Sequence, residues 1–216
     1  GNSFIKNITN VYIFNRTNLA AGTYNYYWWA NDTLANFNKS ETRSYTISKS
    51  TGNISLLLNS QQGNLTIQYP QQSNITASTI YGSVTIYRDG TNITSENNLN
   101  ITRASGFYNI TTVSSGNQNF STASISYWLN VTKANSSCTL SIFPGISITY
   151  LTQVNATASC DNPETNYNLY RNNLNVNSEN GNNVTLGAGN YSYKVNVSST
   201  QNYSYAEATD SLTVNK

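Results

Sequence analysis

IYRDGTNITSEN (Ile86–Asn97) and LYRNNLNVNSEN (Leu169–Asn180) share a Tyr-Arg pair and a closing Ser-Glu-Asn, in register over their whole length. Stretches this alike mark copies of one folding unit when other matches fall at the same spacing. They do: SGFY (Ser105–Tyr108) and AGNY (Ala188–Tyr191) are separated by the same offset as Ile86 and Leu169, and AGTY (Ala21–Tyr24) is a third copy. Each copy is followed by a segment that closes on lysine: SYTISK ending at Lys49, WLNVTK ending at Lys133 and SLTVNK ending at Lys216. This period divides the chain into repeats 1–49, 50–133 and 134–216, with short linkers at Lys49–Gly52 and Lys133–Ser136.

Within a repeat the hydrophobic pattern has period two. Tyr191, Tyr193, Val195 and Val197 alternate with Asn190, Ser192, Lys194 and Asn196, which gives a strand one buried and one wet face. Asp89-Gly90 reads as a tight hairpin turn. No segment carries a helical stripe, and turn signals recur at the close spacing of short strands in a sandwich. About seven such strands per repeat close most simply as two packed sheets, so the expected class is all-β.

The Gly-x-Tyr signature at Tyr24, Tyr108 and Tyr191 looks like the tyrosine corner of immunoglobulin-like domains. The third repeat, with SSCTLSIFPGISITY, TASCDNPE, LYRNN, SENG and LGAGNYSYKVNVSSTQNYS, resembles immunoglobulin-like repeats of large secreted surface proteins from uncultivated archaea. The resemblance spans the chain, strongly over the second and third repeats and partly over the first. It implies tandem immunoglobulin-like β-sandwich domains, one partial (residues 1–49) and two complete, at an extracellular cell surface.

The first repeat is short in an informative way. FIKNITNV (Phe4–Val11) aligns with IYRDGTNI (Ile86–Ile93), so the strands that open the other repeats have no counterpart here. The remainder would present an open inner face and an unpaired edge. Three accounts fit: a window on a longer array, a subunit completed by strands from a neighbour, or a reduced variant of the repeat.

Composition bounds the function. With 11 basic and 9 acidic residues, the chain has no field with which to hold nucleic acid or an anionic membrane. It has no run of apolar residues long enough to insert in a bilayer. Solubility needs another device, and the sequon Asn-x-Ser/Thr supplies one. Sequons stand at Asn7, Asn15, Asn31, Asn38, Asn53, Asn64, Asn74, Asn92, Asn100, Asn109, Asn119, Asn130, Asn135, Asn155, Asn183, Asn190, Asn196 and Asn202. Chance placement of the Asn against the Ser and Thr of this composition gives roughly half as many. In most of them the middle residue is Ile, Val, Leu, Phe or Tyr. On a strand that residue points inward while Asn and Ser/Thr point outward together. The expectation is a dense coat of covalent N-glycans on an extracellular protein.

Cys138 and Cys160 are expected to form a disulfide between the first two strands of the third repeat, where the second repeat has Thr79. Arg88 with Glu96, and Arg171 with Glu179, recur at one spacing and read as cross-strand ion pairs. The chain has no His, which removes the common general base and most zinc sites. Its scattered carboxylates nominate no catalytic pair, and Asp161 with Glu164 are too few ligands for calcium. No catalytic residue, metal site or cofactor is expected, and the chain does not read as an enzyme.

In TYNYYWW (Thr23–Trp29), alignment on the corner tyrosine puts Tyr24, Tyr26 and Trp28 at core positions and Tyr27 and Trp29 outside; Trp128 is also outward. Tyr27, Trp29 and Trp128 are expected to meet a partner surface or a neighbouring glycan such as one on Asn31. The expected function is a structural building block of a heavily N-glycosylated filament, stalk or surface array, with copies of itself as partners, head to tail or by strand complementation. A cell-surface adhesin and a carbohydrate-binding module of a larger protein are the alternatives.

Overall fold

The computed structural model of the protein describes residues 6–8 and 11–216, with side chains from Ile13 onward. Phe4, Ile5, Thr9 and Asn10 of the FIKNITNV segment and the side chain of Asn7 therefore lie outside the described residues. The described chain is all-β, its helical content confined to short 3-10 turns. Packing divides it into two compact units: Gly1–Leu56, Ala77–Asn97 and Thr111–Ser126 form one, and Leu57–Thr76, Asn98–Ile110 and Tyr127–Lys216 the other.

The first repeat contributes β1 (Lys6–Ile8), β2 (Val11–Ile13), β3 (Gly22–Tyr26), β4 (Trp29–Asn31), β5 (Phe37–Lys39) and β6 (Arg43–Ile47). Among the described residues these make only antiparallel pairs: β1 with β2, β3 with β6 and β4 with β5.

The second repeat runs β7 (Ser55–Leu58), β8 (Leu65–Gln68), β9 (Gln72–Ser78), β10 (Val84–Arg88), β11 (Thr91–Asn92), β12 (Asn100–Thr102), β13 (Gly106–Ser114) and β14 (Ala123–Thr132). Its sheets have the orders β11-β10-β13-β14-β8 and β12-β9-β7. Asp89 and Gly90 take the left-handed conformation between β10 and β11, the backbone that a two-residue hairpin turn requires.

The third repeat runs β15 (Cys138–Phe143), β16 (Ser147–Thr149), β17 (Gln153–Cys160), β18 (Tyr167–Arg171), β19 (Leu174–Asn175), β20 (Asn183–Thr185), β21 (Gly189–Val197) and β22 (Ala206–Asn215), and repeats both sheet orders. Each complete repeat thus has eight strands rather than about seven. The extra one arises because the opening strand is split, and its second half changes sheets. β8 pairs in parallel with β14, and β16 with β22.

Alternation then builds the core. In the third repeat Val154, Ala156 and Ala158 of one sheet pack in a single cluster with Leu169, Tyr193, Val195, Leu212 and Val214 of the other. Tyr193 is fully buried. In the second, Leu56, Leu58, Ile75, Ile86, Ile110, Leu129 and Val131 are buried at the inward positions of their strands.

Candidate functional site: the repeat joints

The lysine that closes a repeat and the loop between the last two strands of the next form a joint, and it occurs twice. At the first, the Ala21 amide donates to Asn119 Oδ1 (2.8 Å) and Gln118 Nε2 donates to the Ala21 carbonyl (2.6 Å). Lys49 Nζ donates to the Asn117 carbonyl at 2.8 Å. The chain just past the lysine joins in, with Ser50 N donating to Asn119 O (2.8 Å) and Ser121 N to Ser50 O (2.9 Å).

At the second, the Ser105 amide donates to Asn202 Oδ1 (2.8 Å) and Gln201 Nε2 to the Ser105 carbonyl (2.6 Å). Lys133 Nζ reaches Ser199 Oγ (2.8 Å) and the Thr200 carbonyl. Ala134 N donates to Asn202 O (2.8 Å) and Ser204 N to Ala134 O (2.9 Å). The neutral bonds among these contribute about 0.5–1.5 kcal/mol each, and those from the lysine ammonium about 1.5–3 kcal/mol.

Local chemistry prepares both halves. On the loop side, Asn117 Oδ1 accepts from the amides of Asn119 (2.8 Å) and Phe120 (3.0 Å), an Asx turn that presents Gln118 and Asn119 outward. In the second loop the part is shared: Thr200 Oγ1, at the position of Asn117, accepts from Tyr203 N (3.3 Å), and Glu164 accepts from Asn202 Nδ2 (2.6 Å) and Asn202 N (3.3 Å). The Thr200 hydroxyl and then the Asn202 amide hold the Glu164 carboxyl below its ordinary value. On the receiving side, Tyr24 Oη donates to Ala20 O (2.7 Å) and Tyr108 Oη to Ala104 O (2.8 Å). Each tyrosine pins the residue just before the amide that the asparagine reads. Tyr191 Oη makes the same bond to Gly187 O, at 2.9 Å.

Cys138 and Cys160 face each other across β15 and β17 and are joined in a disulfide, with their Cα atoms 4.1 Å apart. In the second repeat Thr79 donates its hydroxyl to Asn53 O, a hydrogen bond where the third has a covalent one.

The sequon asparagines with described side chains are all at least partly exposed, while middle residues such as Ile75, Ile93, Ile110, Val131 and Val197 are buried. Two pairs sit opposite each other on the three-stranded sheets: Asn74 with Asn100 and Asn155 with Asn183. Asn119 and Asn202 differ from the rest, because their amide oxygens are engaged in the joints.

The aromatic run departs from expectation. Tyr24 is half-buried and stacks on Tyr45 (5.5 Å). Tyr26 and Trp28, expected in the core, are 43% and 46% exposed, close to Tyr27 at 50% and Trp29 at 56%. Two physical reasons account for this. The strand breaks between β3 and β4, which resets the alternation, and no second sheet covers this face among the described residues. Lys39 Nζ lies 4.0 Å from the centre of the Tyr27 ring, and Trp29 is tilted against Phe37 at 6.1 Å. Trp128 stacks on Phe107 at 4.6 Å, on the face that alternation also gives to Asn109 and Asn130.

The ion pairs also differ from expectation. Arg88 lies 3.8 Å from Glu96, and Arg171 contacts Glu179. The acids come from 3-10 turns rather than a facing strand, and all four side chains are partly buried. Asp161 accepts from Ser137 N (2.7 Å) and Ser137 Oγ (2.8 Å), so it and Glu164 serve separate partners.

These sheets, with the split opening strand and the tyrosine bonded to the carbonyl one turn upstream, define a chain of tandem immunoglobulin-like β-sandwich repeats. No family model matches the sequence, and no curated protein matches it. Among solved structures it is similar to the fibronectin(III)-like modules of Clostridium thermocellum CbhA, at 14% identity over 74% of this chain and 93% of that one, TM-score 0.29. It is also similar to murine CEACAM1b, at 12% identity over 75% of this chain and all of that one, TM-score 0.26. A third likeness is to the Bacteroides ovatus mixed-linkage glucan utilization locus protein SGBP-B, solved with a mixed-linkage heptasaccharide, at 15% identity over 76% of this chain and 47% of that one, TM-score 0.28. The class rests on the strands and their order, not on these distant likenesses.

Proposed function

We propose that this chain is a non-catalytic building block of an extracellular, N-glycosylated assembly in which sandwich repeats are joined in series. The observation that carries the reading is the duplicated joint: two junctions, one repeat apart, use the same Gln-Asn loop, the same corner amide and the same closing lysine. A repeat-to-repeat orientation specified twice by the same bonds is what an array under tension needs and what a flexible tether of independent binding modules does not.

The disulfide supports an exported location. Partly exposed sequon asparagines over buried middle residues support a glycan coat on the strands themselves. The half-exposed aromatic face of the first repeat supports completion by a neighbouring copy. Sedimentation of native protein, with intact mass before and after deglycosylation, tests the reading. Ordered polymers carrying sugar are expected; unglycosylated monomers would sink it.

A second reading is favoured by that same aromatic face, with Tyr26, Tyr27, Trp28 and Trp29 close together in the sequence and all exposed: an adhesin that binds a cell surface. Monomers that bind selectively in a glycan or cell array are its signature.

A further inference from the structure

Three groups of the joint after Lys133 have open twins on the third repeat. In that joint the Ser105 amide and carbonyl are taken by Asn202 and Gln201, Lys133 reaches the Ser199–Thr200 segment, and Tyr69 meets the edge of the Tyr203 ring at 5.6 Å. Strand register identifies the counterparts. Tyr69 N donates to the carbonyl of Thr132, just before Lys133, and Tyr150 N donates to the carbonyl of Asn215, just before Lys216. Ser105 precedes its Gly-x-Tyr corner as Ala188 does. In the occupied joints Ala21 is buried and Ser105 and Tyr69 are half-buried, while the closing lysines Lys49 and Lys133 stay exposed. The contrast lies in two of the twins, with Ala188 exposed and Tyr150 51% exposed.

We propose that Tyr150, Ala188 and Lys216 form a third joint socket, and that its ligand is the Gln-Asn-aromatic-Ser loop of a further sandwich repeat of this type. The corner is already set, since Tyr191 Oη holds Gly187 O as Tyr108 holds Ala104. The ammonium of Lys216 faces loop carbonyls, the Ala188 amide donates to the asparagine, the Ala188 carbonyl accepts from the glutamine, and Tyr150 receives the aromatic edge. Continuity with the two filled joints argues for this occupant. A second intact copy fits less well: its own Gln-Asn loops are engaged, and its first repeat offers Ala35-Asn36-Phe37, without the glutamine.

The inference rests on the serial-array reading and names a surface on which a further repeat docks. Its test extends the full chain after Lys216 with a copy of residues 134–216 and follows amide exchange at Ala188, with the Ser105 amide of the same molecule as the filled reference. The Ala188 amide is expected to exchange at least about tenfold more slowly than in the unextended chain. It should return to the fast rate when the appended loop carries Gln201→Ala and Asn202→Ala. Unchanged exchange at Ala188 while Ser105 stays protected overturns the socket. Slowing in the unextended chain as its concentration rises would place a second copy there and overturn the named ligand. If the appended repeat folds poorly, a copy of residues 50–133, with Gln118-Asn119-Phe120, replaces it. The array reading fails separately, on absence of polymers from native material, whatever Ala188 does.

Discussion

The hairpin strand β21 and its counterpart segment β3–β4 carry the same alternation of large residues in sequence, but β21 is one continuous strand and its counterpart is broken after Tyr26, and the two meet opposite fates. Tyr193 and Val195 in β21 are fully buried, whereas Tyr26 and Trp28, at the matching positions, are 43% and 46% exposed. Beyond the strand break, the difference lies in what covers them. β21 packs under the sheet β15-β17-β20, and the described part of the first repeat has no such sheet. Alternation makes a face amphipathic; only a second layer turns it into a core.

The largest effect expected from this contrast is Tyr193→Ala, which should destabilise the third repeat by about 3–5 kcal/mol, against less than about 1 kcal/mol for Tyr26→Ala in the isolated chain. Urea unfolding monitored on each repeat measures both, and equal losses would break the comparison. Next is the pair Cys138→Ser with Cys160→Ser, expected to cost about 3 kcal/mol in the third repeat and nothing in the second, where Thr79 stands in. Differential scanning calorimetry should show one transition moved and one unmoved.

A smaller change is expected from Asn202→Ala, about 1–2 kcal/mol at the second joint, read as faster exchange of the Ser105 amide. The same amide carries a pH signature. The Glu164 carboxyl is depressed in the folded state, so its contribution is present at neutral pH. That contribution is lost as the pH falls below the ordinary glutamate value of 4.5 through the lower folded one. Protection of Ser105 should fall over that acid range, and Glu164→Gln should flatten the dependence. The least effect is expected from Arg88→Ala, about 0–1 kcal/mol for a partly exposed pair.

Much of the fold is legible in the sequence because its signals are local and repeated. Tyr24, Tyr108 and Tyr191 announce three corners, and Ile110 and Val131 flank outward asparagines as alternation requires. Two features are not legible, for physical reasons. The sheet change of β8 and β16 depends on parallel pairing with a strand distant in the chain, Leu65 with Leu129 and Ser147 with Thr213, which no local pattern encodes. The exposure of Tyr26 and Trp28 depends on whether a second layer covers them, which a strand's own sequence cannot report. At the joints, Asn119 and Asn202 carry a role that the sequon alone does not suggest. A signal for it is present nonetheless: Gln118-Asn119-Phe120-Ser121 and Gln201-Asn202-Tyr203-Ser204 recur at the repeat offset, whereas a sequon does not require the preceding glutamine.

Electron cryomicroscopy of native material shows directly whether the chain forms a glycosylated serial assembly. Ordered polymers are expected, with sugar density over the strands and the face of Tyr26, Tyr27, Trp28 and Trp29 covered by a neighbouring subunit. Dispersed single chains with that face bare would contradict this expectation.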